Sequence, residues 1–134
     1  WGENTTGQLG NGTLTSALVP QRVSGDVDFV SVSAGSVHTC AVAADERAFC
    51  WGLGSYGRLG IGSEILVATP APIGGGAMYT HVLIGTAHGC AITFAATMKC
   101  WGFGALGQLG NGASGSENVP VDPLGQLFFA RFDG

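Results

Sequence analysis

The sequence predicts an all-β protein assembled from repeated units, on three observations. A glycine-rich motif begins at Trp1 and recurs at Trp51 and Trp101, which gives a period of fifty residues. Apolar residues make up 46% of the chain and charged residues 10%, with 24 glycines, a composition that favours short strands joined by tight turns over disorder. No stretch shows a convincing helical period. Repeats of this length indicate propeller blades or solenoid turns.

The first full unit contains segments of strand character at residues 29–33, 39–43 and 47–51. Ala44–Glu46 forms the turn between the second and third of these. The glycines of residues 52–62 then predict irregular backbone, because glycine reaches positive φ. The segment up to Pro70 or Pro72 predicts an edge-type strand, the kind that tolerates proline. Three or four short strands per unit are typical of a propeller blade or a similar all-β unit.

The period divides residues 1–134 into units of about 1–50, 51–100 and 101–134, of which the third is truncated. The residues 128–134 align with the first strand of a unit, one position early. The chain therefore holds two full repeats and about two-thirds of a third, and we expect it to be a piece of a longer polypeptide. A blade does not bury both faces alone, so we expect the open faces to need further blades, other copies or a partner.

The chain contains the motif Trp101–Gly112, a following proline, the strand Phe29–Gly35 and the segment His38–Val42 with its hairpin back to Trp-Gly. Together these features resemble the RCC1 (regulator of chromosome condensation) repeat. The resemblance covers nearly the whole chain. It implies a seven-bladed propeller of four-stranded blades, of which this chain would be under half. The family includes a nucleotide-exchange factor, a plant ultraviolet receptor, ubiquitin-ligase scaffolds and secreted propellers. Because these functions differ, the resemblance implies the fold of this chain and not its function.

Four cysteines occur at matching positions of two units. If the second and third strands pair about Asp45, Cys40 faces Cys50 across the hairpin, and Cys90 faces Cys100 one repeat later. The repeat favours these two pairings among the three that four cysteines allow, with buried free thiols as the alternative. Zinc is disfavoured because the spacing lacks a short Cys-x₂₋₄-Cys loop. Repeated hairpin disulfides predict an extracellular or cell-surface protein.

Asn4-Thr-Thr6 and Asn11-Gly-Thr13 match the N-glycosylation pattern at Asn4 and Asn11. Short sequons also arise by chance, and Asn11 lies in the repeated glycine loop. These sites matter only in a eukaryotic secreted protein.

The sequence predicts no cofactor, metal site or catalytic centre. Gly52-x-Gly54-x-x-Gly57 spells the dinucleotide-binding fingerprint, but prolines follow where that fingerprint needs a helix. His38 and His88 occupy the same place in two units, and repeated residues are usually structural, so we expect both to bond backbone between blades. The basic residues are few and scattered, which argues against nucleic acid, and no apolar run approaches a membrane span.

Variation between units points to a binding surface. The loops 13–18, 63–68 and 113–118 differ freely, as do the turns 44–46 and 94–97. Phe94 stands in an otherwise small turn, where it either contacts a partner or packs on the neighbouring blade.

These features predict a non-catalytic interaction or structural module of a secreted or cell-surface protein, presenting its loops to a protein or glycan partner. The first alternative is an exchange regulator of a small GTPase, which would need an inserted wedge-like loop and an intracellular location. The second is a propeller enzyme whose site lies in missing blades.

Overall fold

A computed structural model of the chain describes residues 1–125, and its strands form two four-stranded antiparallel sheets. The first sheet contains β1 (Phe29–Ala34), β2 (His38–Ala43), β3 (Ala48–Gly52) and β4 (Val67–Pro72). The second contains β5 (Tyr79–Ile84), β6 (His88–Thr93), β7 (Met98–Gly102) and β8 (Glu117–Val121). In each sheet the strands lie in sequence order. A 3-10 turn occupies Ser55–Gly57. The prediction of an all-β fold built from propeller blades is confirmed.

The strand pairing repeats with the period of the sequence. Cys40 faces Cys50 between β2 and β3, and Cys90 faces Cys100 between β6 and β7. β4 pairs with β3 along one side, and Pro72 lies opposite Phe49. Proline is tolerated there because a strand at a sheet edge needs only one of its two rows of hydrogen bonds.

Each sheet takes its strands from two sequence units. β1 and β2 lie in the first unit and β3 crosses its end at Trp51, whereas β4 follows the glycine loop of the second unit. The second sheet repeats this arrangement with β8. The sequence repeat and the structural blade are therefore out of phase by one strand.

The two sheets pack face to face, with β5 against β1 and β2. The main core cluster lies between them and includes both cysteines of the first sheet. Its fully buried members are Cys40, Cys50, Leu59, Tyr79, Ala91 and Trp101. β2 and β3 are buried along their whole length, so one of their faces contributes to this core shared between blades, and the other to a second cluster that contains Phe49 and Trp51.

The glycine loop of one unit is fastened to the tryptophan of the next. The Trp51 indole Nε1 donates a hydrogen bond to the carbonyl oxygen of Gln8 at 2.9 Å, and Trp101 Nε1 donates to that of Arg58 at 3.0 Å. Gly10 has a φ of +70°, and a Cβ there would lie 2.6 Å from Trp51 Nε1. Only glycine allows this approach of loop backbone to the indole.

The strand predicted over residues 128–134 lies outside the described residues.

Candidate functional surface

The turns that join β2 to β3 and β6 to β7 lie at one end of the sheets, and we call this end the turn rim. It comprises residues 26–28, 44–47, 76–78 and 94–97. Glu46 and Ala96 take positive φ values of 71° and 64° at equivalent positions, as a type I turn followed by a left-handed residue requires. The two turns therefore share one backbone geometry although their side chains differ.

Backbone hydrogen bonds make the turn rim continuous. The amide of Ala44 donates to the carbonyl of Asp28 at 2.8 Å, and its counterpart Phe94 donates to Met78 at 2.9 Å. The amide of Tyr79 donates to the carbonyl of Glu46 at 2.8 Å and so joins the two sheets. The rim turns are held in one fixed row.

Each sheet carries a notch at the same place on this rim. The first notch, of about 230 Å³, is lined by residues 26–28, 43–45 and 47. The second, of about 400 Å³, is lined by residues 77, 78, 93–95, 97 and 99, most of which are fifty positions further along. We call these the acidic notch and the apolar notch. The fold repeats the concavity, and only its lining changes.

The acidic notch carries three aspartates. Asp45 accepts a hydrogen bond from Arg47 Nε at 2.7 Å, and this bond holds the pKa of the Asp45 carboxyl below its usual value. Asp26 lies 3.9 Å from Arg22, both side chains being fully exposed, so this pair adds little stability. Asp28 is exposed at the notch edge. The notch presents a negative surface to solvent.

The apolar notch is open and hydrophobic. Phe94 is 67% exposed and Met78 is 43% exposed. Lys99, at the notch wall, donates to Asp122 at 2.7 Å. Phe94 is therefore exposed on the surface formed by residues 1–125, and both interpretations of it, contact with a partner or packing on a following blade, stay predictions.

The cysteines form the two disulfides that the repeat favours. The sulfur atoms of Cys40 and Cys50 are 2.01 Å apart, and those of Cys90 and Cys100 are 2.10 Å apart. Each bridge joins the middle of a hairpin in the directly opposed register. Among residues 1–125, which include all four cysteines, none is free.

Asn4 is held inside its loop in the folded chain, and its glycosylation stays a prediction. Its side chain is fully buried, and its Nδ2 donates to the carbonyl oxygens of Thr13 at 2.8 Å and Thr15 at 3.1 Å. Its Oδ1 accepts the amide of Leu9 at 2.9 Å. The amide nitrogen that a glycan would need is therefore committed to the loop. Asn11 is partly exposed and stays a prediction.

His38 does not meet the expectation that it bonds backbone between blades, and for His88 that expectation stays a prediction. It is fully buried at the start of β2, and neither ring nitrogen has a hydrogen-bond partner in residues 1–125. Burial lowers the pKa of His38 from 6.5 to about 4, with smaller contributions from Arg58 and His88. Gly35 leaves room for the ring, since a Cβ there would lie 3.3 Å from its Cε1. The ring fills space between blades instead of bonding backbone.

The sequence does not predict the structural roles of two side chains, Asn4 and Arg58. Both lie where one copy of the motif differs from the others. Asn4 occupies a position that is glycine in the other copies, at Gly54 and Gly104. Arg58 replaces a glutamine, is only 7% exposed, and donates through Nε to the carbonyl oxygen of Ser55 at 2.9 Å. A difference from the repeated motif is therefore the sequence signal that indicates such structural residues.

Within the described part of the chain, no cluster of three or more histidine, cysteine or acidic residues is arranged to hold a metal ion. No helix in residues 1–125 has the length and hydrophobicity to cross a membrane.

Repeated antiparallel sheets packed face to face define the class as a β-propeller of repeat units. A family model described as the regulator of chromosome condensation (RCC1) repeat matches residues 1–42 and 45–92, and a second model of that description matches residues 29–58. The chain therefore belongs to the RCC1 repeat family. The predicted family resemblance is confirmed.

Solved structures show the same fold. Prp20p from Saccharomyces cerevisiae, studied for its binding to Gsp1p and histones, matches with a TM-score of 0.77 at 22% identity over 90% of this chain and 32% of its own. Human WBSCR16 matches with a TM-score of 0.71 at 22% identity over 95% of this chain and 33% of its own. The chain spans about a third of each. Comparison with curated protein sequences found no significant match.

Proposed function

We propose that this chain is a non-catalytic interaction module of a secreted or cell-surface protein, with its turn rim presented to a partner. One observation carries the proposal. The acidic and apolar notches occupy the same place in two sheets of the same frame, yet their linings differ, since Asp28 and Ala44 of the first correspond to Met78 and Phe94 of the second. Function in repeat folds resides in such variable loops on a rigid scaffold. A protein surface suits these notches, and a glycan is the other class of partner in the proposal.

The paired cysteines support the location. Disulfides persist in oxidising compartments and are rare in the cytosol and nucleus. The two equivalent hairpin bridges, Cys40–Cys50 and Cys90–Cys100, would persist in such an oxidising compartment and stabilise one sheet each. Protein that is denatured without a reductant should take up no alkyl label until it is reduced, because denaturation exposes any buried free thiol. Four thiols labelled before reduction would contradict the location and favour the intracellular alternative, an exchange regulator of a small GTPase.

A site-specific cross-link tests the interaction. A photoreactive phenylalanine analogue at Ala95, which is exposed beside Phe94, should cross-link a partner from the extracellular fluid in which the protein occurs. The matched control carries the same analogue at Leu106, which is 86% exposed near the opposite end of β7. Cross-linking from position 95 alone supports the proposal, and equal or absent cross-linking from it contradicts the turn rim as the binding surface.

A further inference from the structure

We infer that the partner is a protein segment that places an apolar side chain in the apolar notch and a basic side chain over the acidic notch. The inference rests on the proposed function and gives the partner its chemistry. It follows from the arrangement of the two notches, their exposed apolar area and their charge.

The two notches belong to one rigid surface. Glu46, at the end of the acidic turn, accepts the amide of Tyr79, and the preceding residue Met78 accepts the amide of Phe94. These two backbone hydrogen bonds, made by the adjacent residues Met78 and Tyr79, connect the turn of the first sheet to the turn of the second. A single extended segment that crosses from one sheet to the next meets both, and because the surface is rigid it loses little entropy on binding.

The apolar notch has room for one large side chain. Its volume is about 400 Å³, and Phe94 and Met78 form its exposed apolar lining. Aromatic residues and methionine are enriched in the anchoring centres of protein interfaces. A leucine or phenylalanine inserted here would bury both side chains.

The charge next to this notch selects the flanking residue. Arg47 pairs with Asp45, and Arg22 lies near Asp26. Within residues 1–125, Asp28 and Glu46 have no ion pair, so the rim beside the apolar notch keeps an excess of carboxylates. A positive side chain is attracted there, and a negative one is repelled.

A second copy of the chain does not supply this chemistry. Among the described cations, Arg58 is buried, and Arg47 and Lys99 form ion pairs at 2.7 Å. Arg22, whose contact with Asp26 is weak, is the exception in a chain of net charge −4. A nucleic acid would bring its phosphates against the exposed carboxylates. A protein segment with its own lysine or arginine fits both notches.

Fluorescein-labelled twelve-residue peptides test the inference. One has a central leucine flanked by lysines, a second has the lysines replaced by glutamates, and a third has the leucine replaced by alanine. We expect the first to bind the intact 134-residue chain at least about tenfold more tightly than either of the others, measured by fluorescence anisotropy. Its affinity should fall as salt is raised from low to physiological concentration. Equal binding of the first two peptides would overturn the charge requirement.

Variants of the chain locate the binding. Phe94→Ala should weaken the lysine-flanked peptide by about tenfold, and the double variant Asp28→Asn with Glu46→Gln should weaken it by about threefold and flatten its salt dependence. The control Leu106→Ala changes an exposed side chain away from the turn rim and should leave the affinity unchanged. Unchanged binding to Phe94→Ala, or sedimentation showing self-association that this variant abolishes, would overturn the inference. If position 95 still cross-links a partner while the peptides fail, only this inference is lost and the proposed function stands.

Discussion

The first sheet carries Asp28 and Ala44 at its turn rim where the second carries Met78 and Phe94, although the two sheets share strand order, register and disulfide position. The indole bonds of Trp51 and Trp101 also repeat to within 0.1 Å. What repeats is what the packing of one sheet on the next requires. What differs lies at the exposed end of the hairpins, where a substitution costs little. The comparison separates residues that maintain the frame from residues free to acquire a partner.

The largest effect should come from breaking the frame equally in both sheets. Trp51→Ala and Trp101→Ala should each lower the free energy of unfolding by about 3–5 kcal/mol, because each removes a buried indole and the hydrogen bond from its Nε1 to a loop carbonyl. The carbonyl of Gln8 keeps a second donor, the Thr39 hydroxyl at 2.9 Å. Urea unfolding followed by circular dichroism measures this. Trp101→Phe, which keeps most of the packing, should cost less. A loss in one sheet only would show that the two frames are not equivalent.

The pH dependence should expose a feature of the first sheet. Folded His38 has a pKa of about 4 against 6.5, so between these values the unfolded chain binds the additional proton. The contribution of neutral His38 to the free energy of unfolding is therefore fully present above pH 6.5, and it should fall by about 3 kcal/mol as the pH drops to 4. Urea unfolding at several pH values in this range should show a smaller change of the free energy of unfolding with pH in His38→Gln than in the unmodified chain. An equal change in that variant would assign the loss of stability to other groups.

The disulfides should contribute alike but resist reduction differently. Replacing either pair with alanines should cost about 2–3 kcal/mol, since each bridge closes a short loop in the unfolded chain. Cys40 and Cys50 are both fully buried, whereas Cys90 is partly exposed. Limited dithiothreitol should therefore open Cys90–Cys100 first, which mass spectrometry of alkylated peptides would detect. Simultaneous opening would mean that both bridges become accessible only on global unfolding.

The smallest effect should come from exchanging the rims. Phe94→Ala, and the double variant Asp28→Met with Ala44→Phe that copies the second rim onto the first sheet, should each change the free energy of unfolding by no more than about 0.5 kcal/mol. The affected side chains are exposed, and the turn backbone is unchanged. Thermal unfolding is sufficient to measure this. A larger loss would give the rim a structural role and weaken its assignment as a binding surface.

The frame was predictable because its determinants are local and repeated. Three local features each predict a strand or a pairing: the alternation in residues 29–33, the hairpin about Asp45 and the cysteine spacing. The fourth strand was predicted only as an edge-type segment leading to Pro70 or Pro72, and the structure supplied its bounds. Its membership in the preceding sheet depends on a long glycine loop whose path no periodicity specifies.

The site was less predictable because it depends on contacts distant in sequence. Phe94 stood out as an aromatic residue in a small turn, but its exposure and its place beside Met78 required the fold. The apposition of Glu46 and Tyr79, which joins the two notches, is made across sheets. Asn4 matched a modification pattern, and only its buried hydrogen bonds revealed its structural role.

The phase difference between sequence unit and sheet has a practical consequence for anyone who dissects or redesigns the chain. A cut immediately before Trp51 would follow the sequence motif but would divide β3 and separate β4 from its partner, leaving an unpaired edge on the upstream piece. A junction within residues 73–78, between β4 and β5, leaves every strand with its neighbours. Blades intended for grafting or shuffling should therefore be exchanged at that connection and not at the tryptophan that makes the repeat visible.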